Sequence, residues 1–333
     1  MRGNKPSRAC LPHFRPEDEK VNVGALIWQL LGKDLTKFSL PVILSEPLSI
    51  LQRAADNVNV EEELVARAAQ EPDGLRRLAL TAAHNLSQFN ICKHRSKKPF
   101  NPHLGETYEL VTEQARFIAE QVSHHPPISA YYQEGQDYTI NGSLQSKAAF
   151  GFGGGTGSMV VRTPGVQDYI FSKFDNETIT ASRPPIHVNN LITTRYLDIG
   201  ESMKVINHRT GERAEIQFTP KGWYADSQID GTIYDAAGTE KYTLAGSWKT
   251  AISMTNIETK EEELLWQEPV QPEDARKQFG FNQCTIQCNY IDDEMRAILP
   301  PSDTRLRGDQ RLFEEGKVEE ADQEKIRLEV KQR

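Results

Sequence analysis

RFIAEQVSHHPPISA, residues 116–130, decides how this chain is read. Its first half is a β-rich run. Pro126 and Pro127 cannot donate to a sheet ladder, so the strand must end or lie at an edge there. The same grammar extends on both sides. TYELV (107–111), YTINGSL (138–144), DYIFSKF (168–174), ETITAS (177–182), RYLDIG (195–200), SMKVINH (202–208), AEIQFTP (214–220), TLAGSWK (243–249) and CTIQCNY (284–290) are short β-rich runs. Turn chemistry separates them, as at Asn207–Gly211 and Asp235–Gly238. Regular spacing without intervening helices predicts an antiparallel meander, closed or nearly closed, rather than a parallel α/β sheet. GFGGGTGS (151–158) is a turn inside this region and lacks the spacing and context of a dinucleotide fingerprint.

The flanks differ. SEPLSILQRAA predicts a helix with Ser45 at the N-cap and Pro47 in its first turn. Pro72-Asp73-Gly74 breaks the run before LRRLALTAAHNL resumes it. Earlier, VNVGALIWQLLGKDL (21–35) gathers Leu26, Ile27, Trp28, Leu30 and Leu31. It is either a core helix or a flap whose apolar side faces a cavity or a membrane surface. From about Pro300 the chain is charged and helical, with acids early and bases late in its last segment.

Thirty-nine basic against 47 acidic residues give a net charge of −8, which argues against a general nucleic-acid binder. The composition, 38% hydrophobic and 26% charged, is that of an ordinary globular protein. No run of about 18 apolar residues suggests a membrane span, and no secretory signal opens the chain. Four scattered cysteines make no disulfide framework, and Cys284 and Cys288 read as packed thiols rather than metal ligands. No enzyme motif is present, so no catalytic residue, cofactor or metal is expected.

Three segments carry recognition chemistry. Prolines stiffen the chain after His124 and His125, and a bend there would let both imidazoles reach one ligand. Two solvated loop histidines is the plainer alternative. In KHRSKKPFNPHLGE (93–106), Lys93, Arg95, Lys97 and Lys98 form a basic knot on a stiff turn, suited to phosphate, with Asn101 as an amide donor. A solvated charge run is the alternative. In the last helix Lys325, Glu329 and Arg333 lie four apart on one face.

Together these segments resemble the oxysterol-binding-protein-related family. EQVSHHPP resembles its signature, and four further stretches match in order: GKDLTKFSLPVILSEPLSILQR (32–53), KKPFNPHLGETYEL (97–110), MKVINHRTGERAEIQF (203–218) and LPPSDTRLRGDQRLFEEG (299–316). The resemblance implies an α+β, mainly β fold. A large near-complete antiparallel β-barrel encloses a lipid tunnel, with an N-terminal lid and helices before it and C-terminal helices after it. It implies one lipid-binding domain over 1–333: a lid region at 1–33, a helical segment at 34–95, the barrel at 96–290 and C-terminal helices at 291–333. It further implies a cytoplasmic, monomeric lipid-transfer protein, not an enzyme. Such a protein works peripherally on endoplasmic reticulum, Golgi or plasma membrane at contact sites, and exchanges phosphatidylinositol 4-phosphate for a sterol. Phosphatidylserine, no second cargo, or a sensing role are the alternatives. Carried over by position, the headgroup ligands are Lys98, Asn101, His124, His125, Lys325, Glu329 and Arg333. Leu26, Ile27, Trp28 and Leu30 line the lid.

Overall fold

A computed structural model describes residues 8–15, 41–59, 62–151, 157–191, 194–222 and 226–332. The lid residues Leu26, Ile27, Trp28 and Leu30, most of the 1–33 lid region, and Arg333 lie outside the described residues. The chain divides into two compact units. One draws on Met1–Asn57, His94–Tyr131 and Val270–Arg333, the other on Val58–Lys93 and Tyr132–Pro269.

Among the described residues, β1 (Ser45–Ser49), β2 (Lys98–Phe100), β3 (Thr107–Val111), β4 (Ala115–His124) and β5 (Pro127–Gly135) are followed by thirteen further strands, the last being Glu262–Gln267. Twelve strands share one order, beginning at β3, β4 and β5 and closing on Glu262–Gln267. Tyr138–Leu144 pairs with Val166–Phe171, and Glu177–Ser182 with Ser202–Asn207, all antiparallel. The four strands skipped between them form a separate four-stranded antiparallel sheet. The architecture is therefore mainly β and antiparallel, with helices before and after the strands.

The second unit shows why these runs are strands. In Arg213–Thr219 burial alternates, with Ala214, Ile216 and Phe218 inward. They stand opposite Ile233, Gly231 and Ile229 on the next strand, so one pleated face is apolar throughout. Two helices, α2 (Glu62–Gln70) and α3 (Gly74–Ser87), belong to this unit. Asp73 caps α3 by accepting from the Leu75 and Arg76 amides. Leu78 to Ser87 are all buried, because α3 packs on the strands Ser202–Asn207 and Glu262–Gln267 and on others beside them.

The first unit holds the predicted site, and its local structure departs from expectation. Ser45 is not a helix cap: Ser45–Ser49 forms β1, pairing in parallel with β2. The helix α1 (Ile50–Asn59) starts one turn later because Ser49 and Gln52 cap each other. The Ser49 amide donates to Gln52 Oε1 at 2.8 Å, and the Gln52 amide donates to Ser49 Oγ at 3.4 Å. CTIQCNY is likewise not a strand. It holds α5 (Gln283–Gln287), after α4 (Ile91–His94), and Asn282 Oδ1 caps it by accepting from the Thr285 amide at 2.8 Å. Within it Cys288 is buried, as read, but Cys284 is exposed. Three helices follow: α6 (Asp293–Ile298), α7 (Gly308–Glu314) and α8 (Val318–Gln332). Leu48, Phe100, Phe279, Phe281, Ile286, Phe313 and Ala321 form the core beneath them. Gly280, at φ +80°, lies where an added Cβ would stand 2.2 Å from the His94 carbonyl oxygen, so only glycine fits.

A buried ion triad ties the unit together. Arg95 donates to both Glu46 oxygens, at 3.1 and 2.6 Å, and to Asp56, and all three are buried. Burial opposes the charge, but Glu46 and Asp56 outweigh it and raise the guanidinium's pKa. Arg95→Met strands two buried carboxylates and should cost about 3–5 kcal/mol in chemical denaturation. Arg67→Met, which breaks a half-exposed pair with Glu263, should cost less than about 1 kcal/mol. Equal small losses would contradict the assignment of Arg95 as the keystone.

Candidate headgroup-binding site

The basic knot separates into different roles. Arg95 is consumed by the ion triad. Lys93 pairs with Glu268. Lys97 is buried and donates to the Ile43 carbonyl at 2.8 Å. Lys98, the first residue of β2, is exposed. Its ammonium donates to Asn101 Oδ1 at 3.1 Å.

The turn after Lys98 is held by a residue that the sequence reading left without a role. Arg307 is buried and donates through Nη1 to the Asn101 carbonyl at 2.6 Å and to Glu106 Oε2 at 3.2 Å. It also forms a two-armed pair with Asp309, at 2.7 and 2.9 Å. Glu106 accepts from the His103 amide at 2.8 Å and from the Thr304 hydroxyl. Arg305 makes the parallel arrangement with Asp303 and reaches the Glu109 carbonyl at 3.0 Å. The signal was present in SDTRLRGD, two arginines each two residues from an aspartate, but the partners at 101 and 106 are distant in sequence.

The helix α8 supplies the facing charges. Lys325 is buried, and its Nζ lies 2.9 Å from Glu329 Oε1 one turn on. The protein packed around the Lys98 ammonium, then the positive charge of Lys325, pull the Lys98 pKa down to about 8. Glu329 opposes this and Arg307 adds to it. The Lys98 side chain still meets solvent, so an arriving anion can reach the ammonium. The structure thus gathers Lys98, Asn101, Lys325 and Glu329 into one electrostatic cluster. Within it Glu329 pairs with Lys325 and opposes the downward pull on Lys98, while Arg307 has its own carboxylates.

The histidines form a second group. Burial alternates along β4 as far as Val122, then gives way to half-buried Ser123 and His124 and exposed His125. The two rings stand edge to face with centroids 4.5 Å apart, so the chain turns sharply enough to bring both imidazoles side by side. Gln121 fixes the strand end relative to the basic turn. Its amide donates to the Glu106 carbonyl, and its carbonyl accepts from the Gly105 amide, both at 2.9 Å. Arg333, the last residue carried over, lies outside the described residues.

The charge account gives a sign-determined expectation. Removing Lys325 as Lys325→Met should raise the Lys98 pKa from about 8 toward 10.5, whereas Glu329→Gln should lower it further. Lysine Nζ and Cε resonances followed through a pH titration measure both. A Lys98 titration unmoved by either change would remove the cluster.

Comparison with known proteins places this geometry in context. The sequence model of the oxysterol-binding protein family matches residues 23–333. Oxysterol-binding protein-related protein 1 of Rattus norvegicus is 30% identical over 379 residues, covering 99% of this chain and 39% of that protein. Oxysterol-binding protein-related protein 3 of Homo sapiens is 33% identical over 333 residues, covering 98% and 37%. The chain therefore spans less than two fifths of the length of these relatives. Among solved structures, the Osh3 ORD of Saccharomyces cerevisiae in complex with PI(4)P superposes with a TM-score of 0.84 at 29% identity, covering 97% of this chain and 85% of that one. The Osh1 ORD domain in complex with cholesterol superposes with a TM-score of 0.87 at 30% identity, covering 98% and 81%. A match over nearly the whole chain, in sequence and in fold, shows that this protein belongs to the oxysterol-binding protein family.

Proposed function

We propose that residues 1–333 act as one lipid-exchange domain. It binds phosphatidylinositol 4-phosphate by its headgroup and, in alternation, a sterol, and it performs no catalytic step. The observation that carries this reading is the solvent-reaching Lys98 ammonium, set beside Asn101 and held at a depressed pKa by the protein packed around it and then by the positive charge of Lys325. Such an ammonium gains most from an anion, and a phosphate monoester brings about two charges. The sterol half of the reading rests on the similar structure solved with cholesterol. An apolar cargo gains about 25 cal/mol for each Å² taken out of water, so phosphate recognition and apolar burial are separate sources of affinity. The domain would work as a monomer, peripheral to the membranes it visits; no described helix is long and apolar enough to cross one.

Extraction from liposomes tests the reading. The wild-type chain should remove phosphatidylinositol 4-phosphate, and Lys98→Ala or the double change His124→Ala/His125→Ala should lower that by at least about tenfold. A sterol should compete with the phosphoinositide in the wild type. If phosphatidylserine competes instead and the sterol does not, the second cargo is reassigned. Extraction unchanged by Lys98→Ala sinks the headgroup assignment.

The pH profile follows from the charges. Lys98 is protonated below its pKa of about 8 and loses its charge above it. Headgroup affinity should therefore fall between about pH 7 and pH 9, with that step missing in Lys98→Met. A profile flat across that range would contradict the cationic site.

A further inference from the structure

We propose that Arg8–Arg15 is a strap that positions the headgroup site, so that its engagement on the C-terminal helices sets the affinity for the phosphoinositide and leaves sterol uptake untouched. This role presupposes the headgroup reading above and adds positioning residues to it. The segment lies before residue 23, where the match to the family begins. Leu11 is its one buried residue. A segment with so little apolar surface to bury is ordered only if specific bonds offset the entropy of fixing it.

Those bonds are present, and they reach several elements of the same unit. Arg8 donates through Nε and Nη2 to the Ile286 carbonyl in α5, at 2.8 and 2.6 Å. Its Nη2 also donates to Glu314 Oε1 in α7, at 2.6 Å. One guanidinium thus pins α5 to α7. The Arg8 carbonyl accepts from the side-chain amides of Gln283 and Gln287, at 2.9 and 2.6 Å, so the residue is held from both ends. The Leu11 amide donates to Gln278 Oε1 at 2.8 Å. The Arg15 amide donates to the Lys277 carbonyl at 2.7 Å. The His13 ring lies against Gly316, between α7 and α8, where an added Cβ would stand 2.6 Å from it.

Leu11 enters the core on which the site is built. It is 3% exposed and belongs to the cluster that contains Phe100 of β2, Phe313 of α7 and Ala321 of α8. The Phe100 and Phe313 rings are 6.0 Å apart. Phe100 stands between Lys98 and Asn101 in sequence. The helix α7 directly follows Arg307, which holds the Asn101 carbonyl. The helix α8 carries Lys325 and Glu329. The elements of the headgroup cluster therefore meet on one core, and the strap fills one place in it. A close-packed core does not tolerate an empty place without movement of its neighbours. Release of Leu11 loosens β2 against α8, and with it the spacing of Lys98 from Lys325. An apolar cargo makes no demand on that spacing.

In the full chain, Leu11→Ser withdraws the apolar anchor, and Arg8→Gln breaks the pin while leaving the core filled. Hydrogen exchange of the amide at position 11 should accelerate in both. Extraction of phosphatidylinositol 4-phosphate from phosphatidylcholine liposomes should fall several-fold in each and further in the double variant, with sterol uptake at the wild-type level. The Lys98 pKa should rise from about 8 toward 10.5, because separation relieves both the packing and the charge of Lys325. A strap that served stability alone would not move it. Leu11→Met, which refills the place, should restore wild-type behaviour. Faster exchange at position 11 with an unchanged Lys98 pKa and unchanged extraction would refute the positioning role and leave the headgroup reading standing. Slow exchange persisting in the double variant would overturn the anchoring by Arg8 and Leu11. Loss of sterol uptake alongside the phosphoinositide in Arg8→Gln would contradict a role confined to the headgroup. Failure of the wild type to extract the phosphoinositide would overturn both readings.

Discussion

Arg307 is the constraint on which the site depends. A buried guanidinium must have its hydrogen bonds met, and it meets them with the Asn101 carbonyl, Glu106 and both oxygens of Asp309. That requirement draws the segment before α7 against the turn after β2. Glu106 passes the constraint on through its backbone, because its carbonyl and the Gly105 amide grip Gln121 three residues before the histidine pair. The position of Lys98, of Asn101 and of the end of β4 thus depends on one residue that is not itself among the predicted headgroup ligands.

With the turn fixed in this way, the electrostatics acquire a direction. Lys325 is buried beside Glu329, and Lys98 is set where it feels both. Packing around the Lys98 ammonium and, after it, repulsion from Lys325 are costs in the unliganded protein, and an arriving anion relieves the repulsion. The cluster therefore stores part of its selectivity in a depressed lysine pKa rather than in additional contacts. The same logic accounts for Arg95, Lys93 and Lys97. Neighbouring cations that look equivalent along the sequence are neutralised or buried, whereas the Lys98 ammonium is bonded to the neutral amide of Asn101 and reaches solvent.

Much of this was legible in the residues. Runs such as TYELV, YTINGSL and ETITAS coincide with strands end to end, because alternation and turn chemistry are local properties. The motifs around Lys98, His124 and Lys325 gave family and candidate residues together. The failures share a different cause. Ser45 and Ser49 are equivalent by local rules, and the reciprocal partner Gln52 selects the second. CTIQCNY has a strand's composition, but Asn282 caps it into a helix whose Ile286 fills the core. The role of Arg307 depends on partners some two hundred residues away, which spacing along the chain cannot display.

The central claim is that Lys98 is a partly discharged cation awaiting a phosphate. Calorimetric titration with a short-chain phosphatidylinositol 4-phosphate at pH 8.5, in buffers of different ionisation enthalpy, tests it most directly. With a free-state pKa of about 8, Lys98 should take up roughly three quarters of a proton on binding, and Lys98→Met should abolish that uptake. Binding without proton uptake in the wild type would contradict the account.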